Sequence, residues 1–311
     1  MKTQHRFQRT ISKPVSCTGV GLHTGIEGTI IFKPASEDFG IHFVRTDIKN
    51  CPSIMADIEH VVDISRGTTI EQNGVKIFTV EHALAAVSGL RIDNVLIELT
   101  AKEPPVMDGS SKDFVEVLEW AGIVEQKKER KVLEISKPVS YSDPQKGVDI
   151  HVLPSDRFRV TFMIDYKLPS LGSQYTAVYN MQEDFSKEVA PARTFCFLSE
   201  IEELREVGLI KGGALDNAVV IVDKEIDDPE VNRLKRLFGI EAEIIMGANG
   251  ILNGKKLRFK NEPVRHKTLD LIGDMALLGV PIKGHVTAAR SGHASNVEFV
   301  KMIRKKYSDF F

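Results

Sequence analysis

The hexapeptide Ile-Ser-Lys-Pro-Val-Ser occurs twice in this chain, at residues 11–16 and again, identically, at 135–140. Identity over six residues is improbable by chance, and internal repetition points to one supersecondary unit built twice. Each copy opens a strand-like segment. The ends of the two halves also correspond. A helix closed by glycine (80–89; 264–279) precedes an apolar strand (Asn94 to Thr100; His285 to Ala289). A glycine turn then leads into a terminal helix, Asp108-Gly109-Ser110 into 114–120 and Ser291-Gly292-His293 into 297–303. This reads as two related α+β domains, residues 1–124 and 132–311, with the polar run at 125–131 as the linker.

A length of 311 residues accommodates two domains of ordinary size, and 42% hydrophobic with 27% charged residues is a globular composition. The net charge of -2 supplies no basic stripe for nucleic acid, and no apolar run reaches the length of a membrane span. The opening Met-Lys-Thr-Gln-His-Arg-Phe-Gln-Arg-Thr lacks the apolar core of a secretory leader. Cys17, Cys51 and Cys196 are scattered without C-x-x-C spacing, which suits a reducing cytoplasm and excludes a cysteine-rich zinc site. Any metal is therefore held by nitrogen and oxygen. We expect a cytoplasmic monomer with no nucleic-acid partner and no integral membrane association.

His266, Asp270 and Asp274 are spaced four residues apart, which stacks an imidazole and two carboxylates on one helical face. His266 and Asp270 could turn onto one divalent ion while Leu269, Ile272, Met275 and Leu278 anchor the helix in a core. The alternative is an ordinary surface hydrogen bond. Upstream, Thr79 suits an N-cap and Gly89 a helix stop, which puts Glu81 and His82 in a first turn. Two His and one Asp form a common catalytic zinc set with a fourth position open to water, and an adjacent Glu could take that water's proton. Alternatively, His82 is a core histidine and Glu81 complements the helix dipole.

A third cluster, Arg290-Ser-Gly-His-Ala-Ser-Asn296, follows the apolar run ending at Ala289 and falls in a turn at a strand end. His293 is a candidate general acid there, or a plain surface residue. Three separate signals, each of a type that hydrolytic zinc chemistry needs, weigh more together than any one alone. Between these clusters lies a β-α-β excursion at about 195–223. It comprises a strand within Ala192 to Phe197, a helix opened by a capping box at Ser199-Glu-Ile-Glu202 and ended at Gly208, and a strand within Ala218 to Asp223. Its apolar residues are core packing or the lining of a channel for a greasy group.

Gly19-Val-Gly-Leu-His-Thr-Gly25, Thr79-Val-Glu-His82, Met107-Asp-Gly-Ser110, Ala192-Arg-Thr-Phe195, His266-Lys-Thr-Leu-Asp270 and Ser291-Gly-His293 occur in that order across nearly the whole chain. Together they closely resemble the UDP-3-O-acyl-N-acetylglucosamine deacetylases, the zinc amidases of lipid A biosynthesis in Gram-negative bacteria. The resemblance implies two sheet-and-helix domains facing one another across an active-site cleft, each with an insert. The first insert falls at about 51–78, and the second forms an acyl passage.

The resemblance also implies roles. His82, His266 and Asp270 resemble the Zn2+ ligands, Glu81 the general base, and His293 the protonated histidine serving the leaving amine, with Asp274 supporting it. Thr194 resembles a hydroxyl donor to the oxyanion and Lys267 a cation near the sugar and phosphates. Phe195 resembles part of the substrate wall. Asp165 and Tyr166 fall where relatives contact uridine, with Tyr where many have Phe, and Gly292 joins the substrate contacts. Without the resemblance, Lys267 reads as solvated surface and Phe195 as core. His23 sits among glycines that suggest tight backbone geometry, either structural or beside the substrate. Some relatives continue into a fused hydroxyacyl dehydratase domain, whereas this chain stops at Phe311. The implied activity is removal of the N-acetyl group of an acylated UDP-N-acetylglucosamine. A zinc amidohydrolase for another N-acyl sugar or peptide is the rival, as is a non-catalytic protein whose histidines are merely packed.

Overall fold

The computed structural model describes residues 6–168, 171–224, 229, 232–235, 250–252 and 256–311. Both copies of the repeat mark the same event. The Lys-Pro pair breaks the chain, and Val15 and Val139 then begin the strands Val15–Val20 and Val139–Asp143. Proline at the entry to a strand suits a residue with no N–H to give a ladder. Each of these strands lies at the edge of a five-stranded sheet.

In the first sheet, Val15–Val20, Glu27–Pro34, Val95–Leu99, Ile41–Arg45 and Ser53–Met55 lie side by side in that order. The second sheet orders Val139–Asp143, Val148–Leu153, His285–Ala289, Arg159–Asp165 and Ser173–Val178 in the same way. The central strand is parallel to its fourth-position neighbour in both sheets, and every other adjacent pair is antiparallel. Alternation sets the faces. Gly28, Ile30 and Phe32 point inward from one strand, as do Val148, Ile150 and Val152 from its counterpart.

Helices complete the duplication. Helix α1 (Glu81–Gly89) precedes the central strand of the first sheet and α2 (Lys112–Ala121) follows it. Helix α3 (Glu262–Ala276) and α4 (His293–Lys306) occupy the same places in the second half. Helix α2 turns Phe114, Val115, Leu118 and Ala121 onto one side and packs on its sheet. Helix α1 is buried on nearly every side because it lies against α3, joining the halves through one continuous apolar core. The protein is thus an α+β fold of two repeated halves. Among the described residues, no helix is long and apolar enough to cross a membrane.

Both inserts leave from the last strand of their sheet and return to the helix that precedes the central strand. The first contains a three-stranded sheet of Val61–Asp63, Thr69–Gln72 and Val75–Ile77. In the second, Phe195–Phe197 and Val219–Ile221 pair in parallel around the helix Ile201–Glu206.

Several local readings need correction. Val80, not Thr79, precedes α1, because the Thr79 hydroxyl donates instead to Glu103 at 2.9 Å. Ser199 caps nothing, since its backbone N–H and hydroxyl both go to Asp223. Helix α4 begins at His293 rather than at Val297, so His293 occupies a helix mouth and not a turn. The charged run is mostly extended: Ile123–Glu129 is a strand antiparallel to Phe7–Ile11, with its charges left in solvent.

Candidate active site

Where α1 crosses α3, Gly273 faces the backbone of Glu81, and no side chain larger than hydrogen would fit between them. That close approach brings the first turn of α1 against the 266–270 turn of α3. His82, His266 and Asp270 are all buried there, and one ligand atom from each lies within 4.8 Å of the others. The Nε2 atoms of His82 and His266 stand 3.7 and 3.4 Å from Asp270 Oδ1, and the two rings are edge to face. Nδ1–H of His266 donates to the Ala192 carbonyl at 3.0 Å, which fixes the tautomer and turns the Nε2 lone pair toward the cluster. Burial lowers His266 to about 4, so its imidazole is neutral. Burial would raise Asp270, but His266 and the ammonium of Lys267 outweigh it and hold the carboxylate well below its ordinary range. Two imidazoles and one carboxylate make a group that could hold a metal ion.

Beside this trio stand Glu81 and His293. Glu81 Oε2 accepts the backbone N–H of Thr68 at 2.9 Å, while Oε1 faces His293 Nε2 at 3.8 Å. Burial raises the Glu81 carboxyl. His293 Nδ1–H donates to Asp274 Oδ2 at 2.9 Å, and Nε2 lies 3.8 Å from Asp270 Oδ2. Burial would lower His293, but Asp274 prevails and raises it to about 9. Asp274 is itself fully buried and bonded at both oxygens. It accepts the Thr68 hydroxyl at 2.6 Å and the Asn296 amide at 2.9 Å.

Lys267 reaches back to Asp270 at 2.9 Å and lies 5.8 Å from the centre of the Phe195 ring. Burial would lower its ammonium, yet Asp270 raises it to about 12. Phe195 continues the wall, edge-on to His266, Tyr166 and Phe197. Tyr166 therefore reaches the site through Phe195, while Asp165 is exposed at its strand end, accepting a bond from Ser173 at 2.6 Å. Neither belongs to the described lining of the cavity over the metal group. Thr194 does line it, its N–H given to Gly109 O at 2.7 Å and its carbonyl taking Val219 N–H at 2.8 Å. Gly292 caps α4 and faces open space, so nothing in the protein itself would obstruct a side chain there.

The cavity has a volume of about 460 Å³. One side is polar, with Glu81, the metal group, Lys146, Arg290 and His293. The other runs into the second insert along Ile201, Leu204, Ile210, Ala218 and Val220, and Leu22 and Ile64 add to the apolar lining. The Gly19–Gly25 loop closes over this end. Leu22 O and His23 O accept the N–H groups of Gly212 and Lys211 at 3.0 and 3.3 Å, and a Cβ on Gly212 would strike Gly21 O. Glu103, which the sequence reading missed, anchors that loop by accepting the N–H groups of His23 and Thr24 at 3.0 and 2.8 Å. His23 lines the cavity rim, its Nε2–H given to Arg66 O at 3.2 Å. Thr68, Ala192, Gly273 and Asn296 were missed as well. Ala192 and Asn296 fell inside motifs that had been singled out, so those two alone carried a signal.

Comparison with known proteins places the chain in a family. The family model described as UDP-3-O-acyl N-acetylglycosamine deacetylase matches residues 8–238 and 232–305. A bifunctional enzyme, LpxC/FabZ, from Chlorobaculum tepidum is 54% identical over 303 residues, covering 97% of this chain and 65% of that protein. The UDP-3-O-acyl-N-acetylglucosamine deacetylase of Syntrophotalea carbinolica is 42% identical across 96% of this chain and 87% of its own length. That of Myxococcus xanthus is 41% identical across 99% of this chain and 89% of its own. The chain thus spans slightly less than two thirds of the bifunctional relatives, at 65 and 64% of their length, and most of the single-function ones. With its motifs, duplicated fold and buried His-His-Asp group together, this chain belongs to the UDP-3-O-acyl N-acetylglycosamine deacetylase family.

Proposed function

We propose that the chain hydrolyses the N-acetyl group of UDP-3-O-(3-hydroxyacyl)-N-acetylglucosamine, releasing acetate in the committed step of lipid A biosynthesis. His82, His266 and Asp270 would hold the resident metal, which we take to be Zn2+. The observation that carries this reading is the convergence of those three ligands within 4.8 Å, beside a non-ligating Glu81 and a histidine paired with a buried carboxylate. The donor set fits zinc: it is all nitrogen and oxygen, with one imidazole oriented by a carbonyl. When bound, the ion supplies Lewis acidity at the acetamide carbonyl and acidifies water.

The protein's own groups do the rest. Glu81, raised by burial and pinned at one oxygen by Thr68, takes the proton of the attacking water through its other oxygen. Thr194 donates its hydroxyl to the oxyanion that develops on the carbonyl. His293, held cationic by Asp274, protonates the glucosamine nitrogen, since an amine anion is a very poor leaving group. Lys267 offers a cation to the sugar and phosphates. Phe195 and Tyr166 wall the substrate, Gly292 leaves it room, and Asp165 lies on the uridine side. The apolar end of the cavity takes the acyl chain. We further take residues 1–124 and 132–311 as domains joined through 125–131. We expect a cytoplasmic monomer, as three free thiols suit a reducing compartment.

The test is acetate release from acylated and unacylated UDP-N-acetylglucosamine by protein of measured metal content, before and after chelation. Turnover should favour the acylated sugar, vanish on chelation and return with one equivalent of zinc. A zinc-loaded protein that leaves the acylated sugar intact would end the proposal.

A further inference from the structure

The Met107-Asp-Gly-Ser110 and Ala192-Arg-Thr-Phe195 motifs are joined by an ionic network, buried at its Arg193–Glu262 end, that the chemistry above does not use. Glu262, the first residue of α3, is fully buried. Its Oε1 accepts the backbone N–H and Nε–H of Arg193 at 3.0 and 2.8 Å. Its Oε2 accepts a guanidinium N–H of Arg193 at 3.1 Å and the backbone N–H of Arg258 at 2.7 Å. Arg258 continues to Asp108 at 2.7 Å and to Pro191 O at 2.8 Å.

Position gives this network its meaning. Glu262 and His266 are one helical turn apart and so share a face of α3. Glu262 grips Arg193 while His266 donates to Ala192 O, so the helix holds the segment at two adjacent residues. The next residue is Thr194, whose N–H is fixed by Gly109 O, one residue beyond Asp108. Gly109 has φ +86°, and a Cβ there would fall on Asn217 O, so the loop has little freedom to give way.

We propose, building on the deacetylase reading, that the Arg193–Glu262 pair is a positioning clamp. It sets the Ala192 carbonyl that orients metal-ligating His266, and the Thr194 hydroxyl that meets the oxyanion, while touching neither metal nor substrate. Partners of this kind cost about 10- to 100-fold in metal affinity or activity when altered. A planar bidentate fork is not replaced by an ammonium.

Arg193→Lys and Glu262→Gln test it in the full chain. Zn2+ affinity is read by competition with a chromophoric chelator, kcat and KM on the acylated sugar, and the His266 Nδ1–H by NMR of 15N-histidine-labelled protein. We expect zinc affinity and kcat to fall about 10- to 100-fold. KM should change little, and the His266 proton should exchange faster, with circular dichroism unaltered. Folded variants with parental zinc affinity and an equally protected His266 proton overturn the clamp. So does any loss that merely tracks the folded fraction of a poorly folding variant. The zinc and NMR readings need no turnover, so an inactive parent protein would count against the deacetylase reading and leave the clamp to be judged separately.

Discussion

Gly273 lies so close to Glu81 that a Cβ on it would stand 2.2 Å from the Glu81 carbonyl oxygen. The position sits inside α3, where replacing glycine by alanine normally stabilises a helix by about 1 kcal/mol. Overpacking at a close contact costs about 1–3 kcal/mol, and here the obstacle is backbone that cannot rotate away. The clash should therefore win. Gly273→Ala should lower the urea midpoint and, by pushing α1 away from α3, weaken zinc binding about 10-fold or more. A variant as stable as its parent and with equal zinc affinity would show that this contact does not set the site.

Much of this was legible because the informative patterns are local or repeated. The doubled hexapeptide marks the start of equivalent edge strands, and the i to i+4 spacing of His266, Asp270 and Asp274 fixes their shared face without knowledge of the rest. What stayed hidden joins distant residues. Thr68 binds Asp274 across 206 positions, and nothing around either residue encodes the other. Thr79 looked like a cap because its type suits one, but the buried carboxylate of Glu103 competes for its hydroxyl. The 125–129 run gave no strand signal because its strand keeps the charges outside, and its partner lies near the other end of the first half.

Glu81 and His82 are neighbours in sequence and should fail in different ways. Glu81→Ala removes the proposed base but no ligand, so it should keep stoichiometric zinc and lose at least about 100-fold in kcat. His82→Ala removes one of the three proposed ligands and should lose metal and activity together. Elemental analysis beside steady-state kinetics separates the two. Full turnover by zinc-loaded Glu81→Ala would remove Glu81 from the role.

The Asp274–His293 pair predicts a pH dependence. The folded His293 is raised from its ordinary value of 6.5 to about 9, so folding favours the cation. The stability this contributes is fully present below about pH 6.5 and is lost as pH rises through about 9. In metal-free protein the His293 ring should titrate near that upper value by NMR, and the activity of the zinc-loaded protein should decline on its alkaline side. Asp274→Asn should move the NMR midpoint toward ordinary histidine and draw the alkaline limb down with it. A His293 midpoint unmoved by Asp274→Asn would mean that Asp274 is not what holds the proton.

The apolar end of the cavity predicts a change in selectivity without a change in chemistry. Ala218 lines it alongside Leu204 and Val220, some distance in sequence from every proposed ligand. Ala218→Phe should fill space that the acyl chain needs. Each displaced methylene forfeits about 0.8 kcal/mol, so excluding four costs about 3 kcal/mol, or roughly 100-fold in kcat/KM. The unacylated sugar never uses that space, and its slower hydrolysis should be nearly unchanged. The ratio of kcat/KM for the two substrates therefore reads the passage directly, independent of how much protein is folded or metallated. A ratio left unchanged, whether both substrates lose equally or neither loses, would mean that the acyl chain lies elsewhere.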